Sequence, residues 1–158
     1  MKSVEIMSPV GSYEALQAAM QGGADSVYFG VGKLNMRSKS ANNFGLSDLV
    51  NIATFCNEHG IKSYLTVNTV IYNDEIEEMH TLVSTAKESG VSAVIASDMA
   101  VINYANSIGM EVHISTQCNI SNYEAVKYYS RFADVMVTAR ELSLRQVAEI
   151  TDYIAKND

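Results

Sequence analysis

The segment "HISTQCN" at residues 113–119 concentrates side chains that could hold or transform a ligand. His113, Ser115 and Gln117 alternate with apolar or small residues, so an extended strand would present all three on one face. Cys118 has no nearby histidine to act as its base, and a single histidine does not make a metal site. The pattern indicates the wall of a pocket, although His113 could equally be a hydrogen-bonded structural residue. We predict no metal site and leave the catalytic residue unassigned.

Polar side chains also follow other strand-like runs. Asn68 ends the third run, and Arg140 with Glu141 follows the sixth in "VTARELS". An arginine guanidinium presents a planar fork that suits a carboxylate or a phosphate. Arg140 and Glu141 therefore indicate a binding position for an anionic group, with a simple ion pair between the two as the alternative.

A long connection follows the second run. Residues 30–45 read "GVGKLNMRSKSANNFG", which is longer than the ~2 to 6 residues usual between a strand and the next helix. The connection carries three basic residues, among them Arg37, in an otherwise acidic chain. We expect Arg37 to meet Arg140 above the strand ends. The glycines at its start do not make a dinucleotide motif, because Asn35 stands where the third glycine belongs.

The same unit recurs six times along the chain: a short β-branched or aromatic run, a polar turn and a stretch of helical spacing. The predicted strands are Val4–Met7, Ser26–Phe29, Lys62–Val67, Ala93–Ala96, Glu111–Ser115 and Asp134–Val137. The predicted helices are Ser12–Gln21, Ser47–His59, Asp74–Ser89, Met99–Ser107, Asn122–Ser130 and Leu144–Ala155. Capping-box spacing marks two helix starts, at Ser121 with Glu124 and at Ser143 with Gln146.

Strands that alternate with single helices form a parallel sheet with right-handed crossovers. Six units are too few for an eight-stranded barrel, which typically needs about 250 residues. The predicted fold class is therefore α/β, with six consecutive βα units in an incomplete, TIM-like parallel β/α barrel. Polar residues on one face of the third and fifth strands favour a barrel interior. We predict one domain over residues 1–158, the amino-terminal part of a larger barrel enzyme.

The charge of the chain limits its partners. Its 158 residues include 11 Lys and Arg against 18 Asp and Glu, a formal net charge of −7. An RNA partner would therefore have to bind through another part of the protein. The apolar runs fall far short of the ~20 residues of a membrane-spanning helix, so we expect no membrane partner. Two cysteines without paired spacing, and no secretory signal at the start, favour the cytoplasm.

Four segments together resemble a known family. They read "SPVGSYEALQAAMQGGADSVYFG", "RSKSANNF", "HISTQCNISNYEA" and "TARELSLRQVAEI", and they are spread over nearly the whole chain. They are similar to the amino-terminal part of the collagenase-like peptidases, family thirty-two of the unknown-mechanism class. The resemblance implies a TIM-barrel-like catalytic domain with motif-matched residues at its mouth. These predicted substrate-binding residues are Arg37, Asn43, Asn68, His113, Ser115, Gln117, Arg140 and Glu141.

The resemblance implies one of two chemistries. Some members are named peptidases or collagenases, which makes a hydrolase acting on a peptide or a small anionic substrate the leading prediction. Other members take part in oxygen-independent hydroxylation of RNA bases, such as uridine in tRNA, or of quinones. The family's peptidase signature, and the cysteines of an iron–sulfur cluster, are expected beyond residue 158 in a longer protein. We predict no cofactor in this chain itself.

A non-catalytic module is the remaining alternative. A half-closed barrel leaves unpaired N–H and C=O groups on two edge strands and an open apolar flank, so two copies could pair. The expected partner is then a second copy in a homo-oligomer, and the isolated chain would lack the full catalytic machinery.

Overall fold

The computed structural model describes residues 4–36, 38 and 44–157, in which parallel strands alternate with helices. The strands are β1 (Met7–Pro9), β2 (Ser26–Gly30), β3 (Lys62–Val67), β4 (Ala93–Ala96), β5 (Glu111–Ile114) and β6 (Val135–Met136). The helices are α1 (Tyr13–Gln21), α2 (Leu46–Glu58), α3 (Ile76–Glu88), α4 (Met99–Ser107), α5 (Tyr123–Tyr129) and α6 (Leu144–Asn157). Short 3₁₀ turns cover Asn73–Glu75 and Thr116–Cys118.

In the described part of the chain the strands form one parallel sheet in the order β1-β2-β3-β4-β5-β6. Right-handed crossovers between consecutive neighbours place every helix on the same face of the sheet. A doubly wound sheet would instead reverse its strand order part-way, with helices on both faces. The βα units therefore curve into part of a barrel with its helices outside. The predicted incomplete β/α barrel is confirmed.

The main hydrophobic core lies between the helices and the convex face of the sheet. Leu65 and Val67 of β3 are fully buried there, as are Val112 and Ile114 of β5. The apolar face of α2 adds Leu49, Ile52, Ala53 and Cys56. Burying one such aliphatic side chain contributes roughly 1.5–3 kcal/mol, so this layer fixes which residues of each strand face outward to the helices. The alternate residues are thereby directed into the barrel.

Side chains from alternate strands meet on the concave face. The rings of Tyr64 (β3) and His113 (β5) pack with their centroids 4.7 Å apart, across β4. Ala93 of β4 is in register with Tyr64 and leaves room for this contact. Glu5, just before β1, accepts a hydrogen bond from the Tyr64 hydroxyl at 2.6 Å. Layers built by alternate strands are typical of the interior of a TIM barrel.

The first strand begins later than the sequence pattern predicts. It covers Met7–Pro9 rather than Val4–Met7, and Val4 and Ile6 are 87% and 60% exposed. Because β1 is an edge strand with a neighbour on one side in the described sheet, it tolerates a proline whose missing N–H faces away from β2. The alternating apolar residues Val4 and Ile6, which suggested the earlier start, are not buried.

One of the two predicted capping boxes is wrong and the other is confirmed. Asn122, and not Ser121, caps α5, since Asn122 Oδ1 accepts the backbone N–H of Ala125 at 3.0 Å. At α6, Gln146 Oε1 accepts the backbone N–H of Ser143 at 2.9 Å, and Ser143 Oγ accepts that of Gln146 at 3.4 Å. The second box therefore fixes where α6 begins.

The described helices are also too short or too polar to cross a lipid bilayer.

Candidate functional site

The carboxyl ends of β3 and β5 bring three predicted residues together at the mouth of the partial barrel. Asn68 directly follows β3, and Ser115 directly follows β5. Asn68 Nδ2 donates a hydrogen bond to Ser115 Oγ, with 3.4 Å between the atoms. Ser115 Oγ also accepts the backbone N–H of Gln117 at 3.4 Å. Asn68, Ser115 and Gln117, called the rim below, therefore lie where α/β barrels bind their ligands.

The turn after β5 separates a buried hydroxyl from an exposed amide. Ser115 caps the 3₁₀ turn Thr116–Cys118 and is 2% exposed. Gln117, within the turn, is exposed. Asn119 ends the turn in the left-handed region at φ 49°, which asparagine adopts more readily than most residues. The side chain of Gln117 is therefore accessible to a ligand, while the buried Ser115 hydroxyl supports the turn that carries Gln117.

The connection after β2 contributes Asn35, which the sequence pattern did not identify as a site residue. Asn35 is fully buried, and its Nδ2 donates to two backbone carbonyl oxygens of the same connection at 3.3 and 3.2 Å. A Cβ on Gly30 would clash with the side-chain amide of the buried Asn35, so this position requires glycine. The next residue, Met36, donates its backbone N–H to Asn68 Oδ1 at 3.2 Å. Strand and helix periodicity gives no signal for this contact.

Two further predicted residues of that connection, Arg37 and Asn43, lie outside the described residues. The approach of Arg37 to Arg140 therefore stays a prediction. Arg140 follows β6 and is exposed, as is Glu141. Within residues 4–36, 38 and 44–157, no ion pair joins Arg140 to Glu141 or to another carboxylate. Among the described residues, the guanidinium of Arg140 is therefore not paired with a carboxylate.

His113 belongs to the barrel interior, one inward-facing position below Ser115 on β5. It is 6% exposed, and its Nε2 lies 2.8 Å from Glu111 Oε1. Its ring packs against Tyr64, as described above. The geometry matches the structural alternative for this histidine, a hydrogen-bonded residue beneath the mouth. A direct contact between His113 and a substrate stays a prediction.

The amino ends of the strands hold a charged cluster that the sequence pattern did not indicate. Lys62 Nζ lies 2.7 Å from Glu5 Oε2, and the Tyr64 hydroxyl donates to Glu5 Oε1. The hydrogen bonds from Lys62 and then Tyr64 hold the pKa of Glu5 at about 2. Burial, and then the bond to Glu5, raise the pKa of Tyr64, which therefore remains a donor. This end of a TIM barrel is associated with stability rather than with catalysis.

The two cysteines are poorly suited to act as nucleophiles. Cys56 on α2 is buried, which raises the pKa of its thiol to about 11. Cys118 is half-buried, and burial raises its thiol pKa despite an opposing hydrogen bond from Tyr129. Its Sγ lies 3.6 Å from the carbonyl oxygen of Ser97. Since the thiolate is the reactive form of cysteine, neither thiol is activated here.

The carboxylate nearest in sequence to the end of β4 is occupied by backbone groups. Asp98 Oδ1 accepts the N–H of Ala100 at 2.8 Å and so caps α4, while Oδ2 accepts that of Ile71 at 3.0 Å. Among the residues that the structure describes, no three His, Cys, Asp or Glu side chains are grouped so that they could hold a metal ion. The described part of the mouth thus presents the amides of Asn68 and Gln117, with the exposed Arg140 and Glu141 after β6.

Comparison with protein families assigns the chain at the family level. The sequence profile described as Peptidase family U32 matches residues 11–157. The chain belongs to peptidase family U32. The resemblance based on the four sequence segments is thereby confirmed.

Curated proteins similar to this U32 chain carry two kinds of name. It is 58% identical over 154 residues to a collagenase of Porphyromonas gingivalis strain W83, a match covering 98% of this chain and 37% of that protein. It is 32% identical over 148 residues to the 23S rRNA 5-hydroxycytidine C2501 synthase of Escherichia coli K12, a match covering 93% of this chain and 22% of that protein. It is 29% identical over 156 residues to tRNA hydroxylation protein P1 of Bacillus subtilis, a match covering 97% of this chain and 37% of that protein. The chain thus spans less than two-fifths of each of these relatives.

Solved structures agree with the fold. The U32 peptidase Mk0906 superposes with a TM-score of 0.77 at 14% identity, covering 95% of this chain and 65% of that one. A deoxyribose phosphate aldolase from Aeropyrum pernix superposes with a TM-score of 0.67 at 15% identity. This match covers 97% of this chain and 69% of the aldolase chain. At such identities the likeness concerns the fold alone.

Proposed function

We propose that this U32 chain forms the substrate-positioning part of a peptide hydrolase. The observation that carries the proposal is the 58% identity to a collagenase over 98% of the chain. The relatives named for RNA hydroxylation that are described above share 29% and 32% over similar spans. The larger similarity favours the peptide-acting relative as the guide to the substrate.

The mouth of the barrel offers donors that match a peptide. Carbonyl oxygens and a terminal carboxylate are acceptors, and Gln117 and Arg140 present exposed N–H donors. Asn68 and Ser115 stand behind Gln117 and hold its turn in place. The net charge of −7 gives the chain no general attraction to a polyanion, which also supports a peptide.

We assign the described residues a binding role and no role in cleaving the bond. His113 is engaged by Glu111, and the raised thiol pKa values of Cys56 and Cys118 do not favour a thiolate nucleophile. The matched segment is 37% of the collagenase. We place the groups that cleave the peptide bond in the additional length of such a relative.

Binding of a gelatin-derived peptide tests the proposal with a matched pair of variants. Arg140→Ala removes the exposed guanidinium at the mouth, and Arg145→Ala removes one that pairs with Glu149 on the outside of α6. We expect Arg140→Ala to weaken binding roughly tenfold, as for the loss of a hydrogen bond to a charged group, and Arg145→Ala to leave it unchanged. Isothermal titration calorimetry measures both. Equal affinities in the two variants, or no binding by the unaltered chain, would refute the proposal.

RNA base hydroxylation is the second candidate, favoured by the relatives named for it. The iron–sulfur cluster that the family resemblance implies would need cysteine thiolates. Cys56 and Cys118 do not fit this need by themselves, because two thiols are too few for a cluster held by four. We would place the ligands of such a cluster outside the described residues. Tighter binding of an unmodified tRNA transcript than of the gelatin peptide, weakened in Arg140→Ala, would favour this candidate.

A further inference from the structure

Asn68 joins two segments of the mouth that are far apart in the sequence. Its Oδ1 accepts the backbone N–H of Met36 at 3.2 Å, and its Nδ2 donates to Ser115 Oγ at 3.4 Å. Ser115 Oγ in turn accepts the backbone N–H of Gln117. A single side-chain amide therefore links the connection after β2 to the turn after β5.

The contact between Asn68 and Ser115 passes across the end of β4. Two strands that flank a third are roughly 10 Å apart in a flat sheet. The curvature of the partial barrel brings the side chains of its concave face closer, and β4 is followed here by the small residue Ser97. Nearer the amino ends of the strands, the rings of Tyr64 and His113 also meet across β4. The Asn68–Ser115 contact thus depends on the spacing between β3 and β5.

The connection after β2 is anchored at its base by other contacts. Lys33 Nζ lies 3.4 Å from Glu75 Oε1 and 3.1 Å from Glu78 Oε2, near the start of α3. Asn35 bonds to backbone groups of the connection itself. The bond from Met36 to Asn68 differs from these, because it ties the connection to the mouth of the barrel.

We propose that Asn68 is a positioning residue whose amide couples the Met36 segment to the Ser115–Gln117 turn. An asparagine amide carries its acceptor and its donors on one rigid plane, so a rotation that breaks one bond disturbs the other. The coupling sets the spacing of the mouth. A role of this spacing in peptide binding rests on the proposed function. The coupling itself does not depend on the proposed function.

Amide hydrogen exchange measured by NMR tests the coupling in the Ser115→Ala variant. This change removes the acceptor of Asn68 Nδ2 and leaves Met36 untouched. We expect the Met36 N–H to exchange about fivefold faster, as for the loss of one hydrogen bond. Asn103→Ala, which removes an exposed amide on α4, is the control and should change nothing. If Gln117 exchange rises in Ser115→Ala while Met36 exchange equals that of the unaltered chain, the two contacts are independent and the proposal is wrong.

Variants of Asn68 give the reciprocal measurement, which decides the matter if Ser115→Ala does not fold. Asn68→Ala should speed exchange at Gln117 about fivefold, because Ser115 loses its support. Asn68→Asp retains an acceptor for Met36 and can accept the hydroxyl proton of Ser115, so exchange should stay slow at both positions. Unchanged exchange at Gln117 in Asn68→Ala would refute the coupling.

Gelatin-peptide binding by the same variants separates this inference from the proposed function. If the coupling serves binding, Asn68→Ala weakens it roughly tenfold and Asn68→Asp restores most of the loss. Coupled exchange without any gelatin binding by the unaltered chain would refute the peptide function and support the positioning role. Lost coupling with unchanged gelatin affinity would exclude a role of Asn68 in substrate binding.

Discussion

Glu5 ties the edge of the sheet to its interior through a single carboxylate. It precedes the edge strand β1, whereas its partners Lys62 and Tyr64 both belong to β3. Both partners donate to the ionised form of the carboxylate, which is why the pKa of Glu5 lies at about 2 rather than 4.5. The ionised state of Glu5 is therefore linked to the folded state.

This linkage predicts how the stability contributed by Glu5 varies with pH. Because its pKa is lower in the folded than in the unfolded chain, the contribution is fully present above pH 4.5 and is lost as pH falls toward 2. We expect Glu5→Gln to lower the free energy of unfolding by roughly 1 kcal/mol at neutral pH, a value kept small because solvent screens this partly exposed pair. This difference in the free energy of unfolding should shrink as pH falls from 4.5 toward 2.

Urea denaturation at several pH values measures this deficit. Glu88→Gln makes the same change at an exposed position near the end of α3 and serves as the matched control. A Glu5→Gln deficit that stays constant from neutral to acidic pH would contradict the assigned role of the carboxylate.

At the level of elements, the sequence pattern predicted inner strands better than edge strands. The bounds of β3, β4 and α4 agree with the prediction, because these elements pack on neighbours in the described fold and their apolar pattern reports that burial. The edge strands β1 and β6 differ from the prediction. Each has a paired neighbour on one side in the described sheet, so hydrogen bonding and register, rather than alternation, decide their extent.

The candidate site was predictable where it depends on the ends of strands. Asn68 and Ser115 follow strands that were recognised, and parallel strands place their carboxyl ends at one edge. The packing of Asn35 beneath Gly30, and the bonds of Glu5 to Tyr64, depend on tertiary contacts that periodicity does not encode. Glu5 and Tyr64 are 59 positions apart in the sequence. Contacts between residues so far apart in the sequence are identified from the folded structure and not from the sequence pattern.

The two predicted capping boxes provide a test at the start of α5 and α6. We expect Ser143→Ala to lower the free energy of unfolding by about 1 kcal/mol, because it removes the cap of α6. Ser121→Ala should have little effect, since Asn122 is the residue that caps α5. Thermal denaturation of the two variants compares them directly. Equal destabilisation by both would show that the caps are wrongly assigned.

At the level of the whole molecule, the sixth unit of the described barrel has an open cavity beside an exposed edge strand. Residues of α5, β6 and α6 line this cavity of about 640 Å³, among them Val126, Val147 and Ile150. Val135 and Val137, in and just after β6, are 43% and 37% exposed. An edge strand with exposed apolar residues can pair with another chain. We therefore expect the 158-residue chain studied alone to self-associate at this edge.

Lysine substitution at the edge tests this expectation. A lysine placed on an edge strand opposes edge-to-edge pairing, because its charge would be buried in the contact. We expect sedimentation velocity to show concentration-dependent association of the unaltered chain and a monomer for Val137→Lys. Val50→Lys makes the same change at a 49% exposed position on α2, away from the edge, and should leave association intact. A monomer at every concentration for the unaltered chain would contradict edge pairing, and equal association of the two lysine variants would move the contact away from β6.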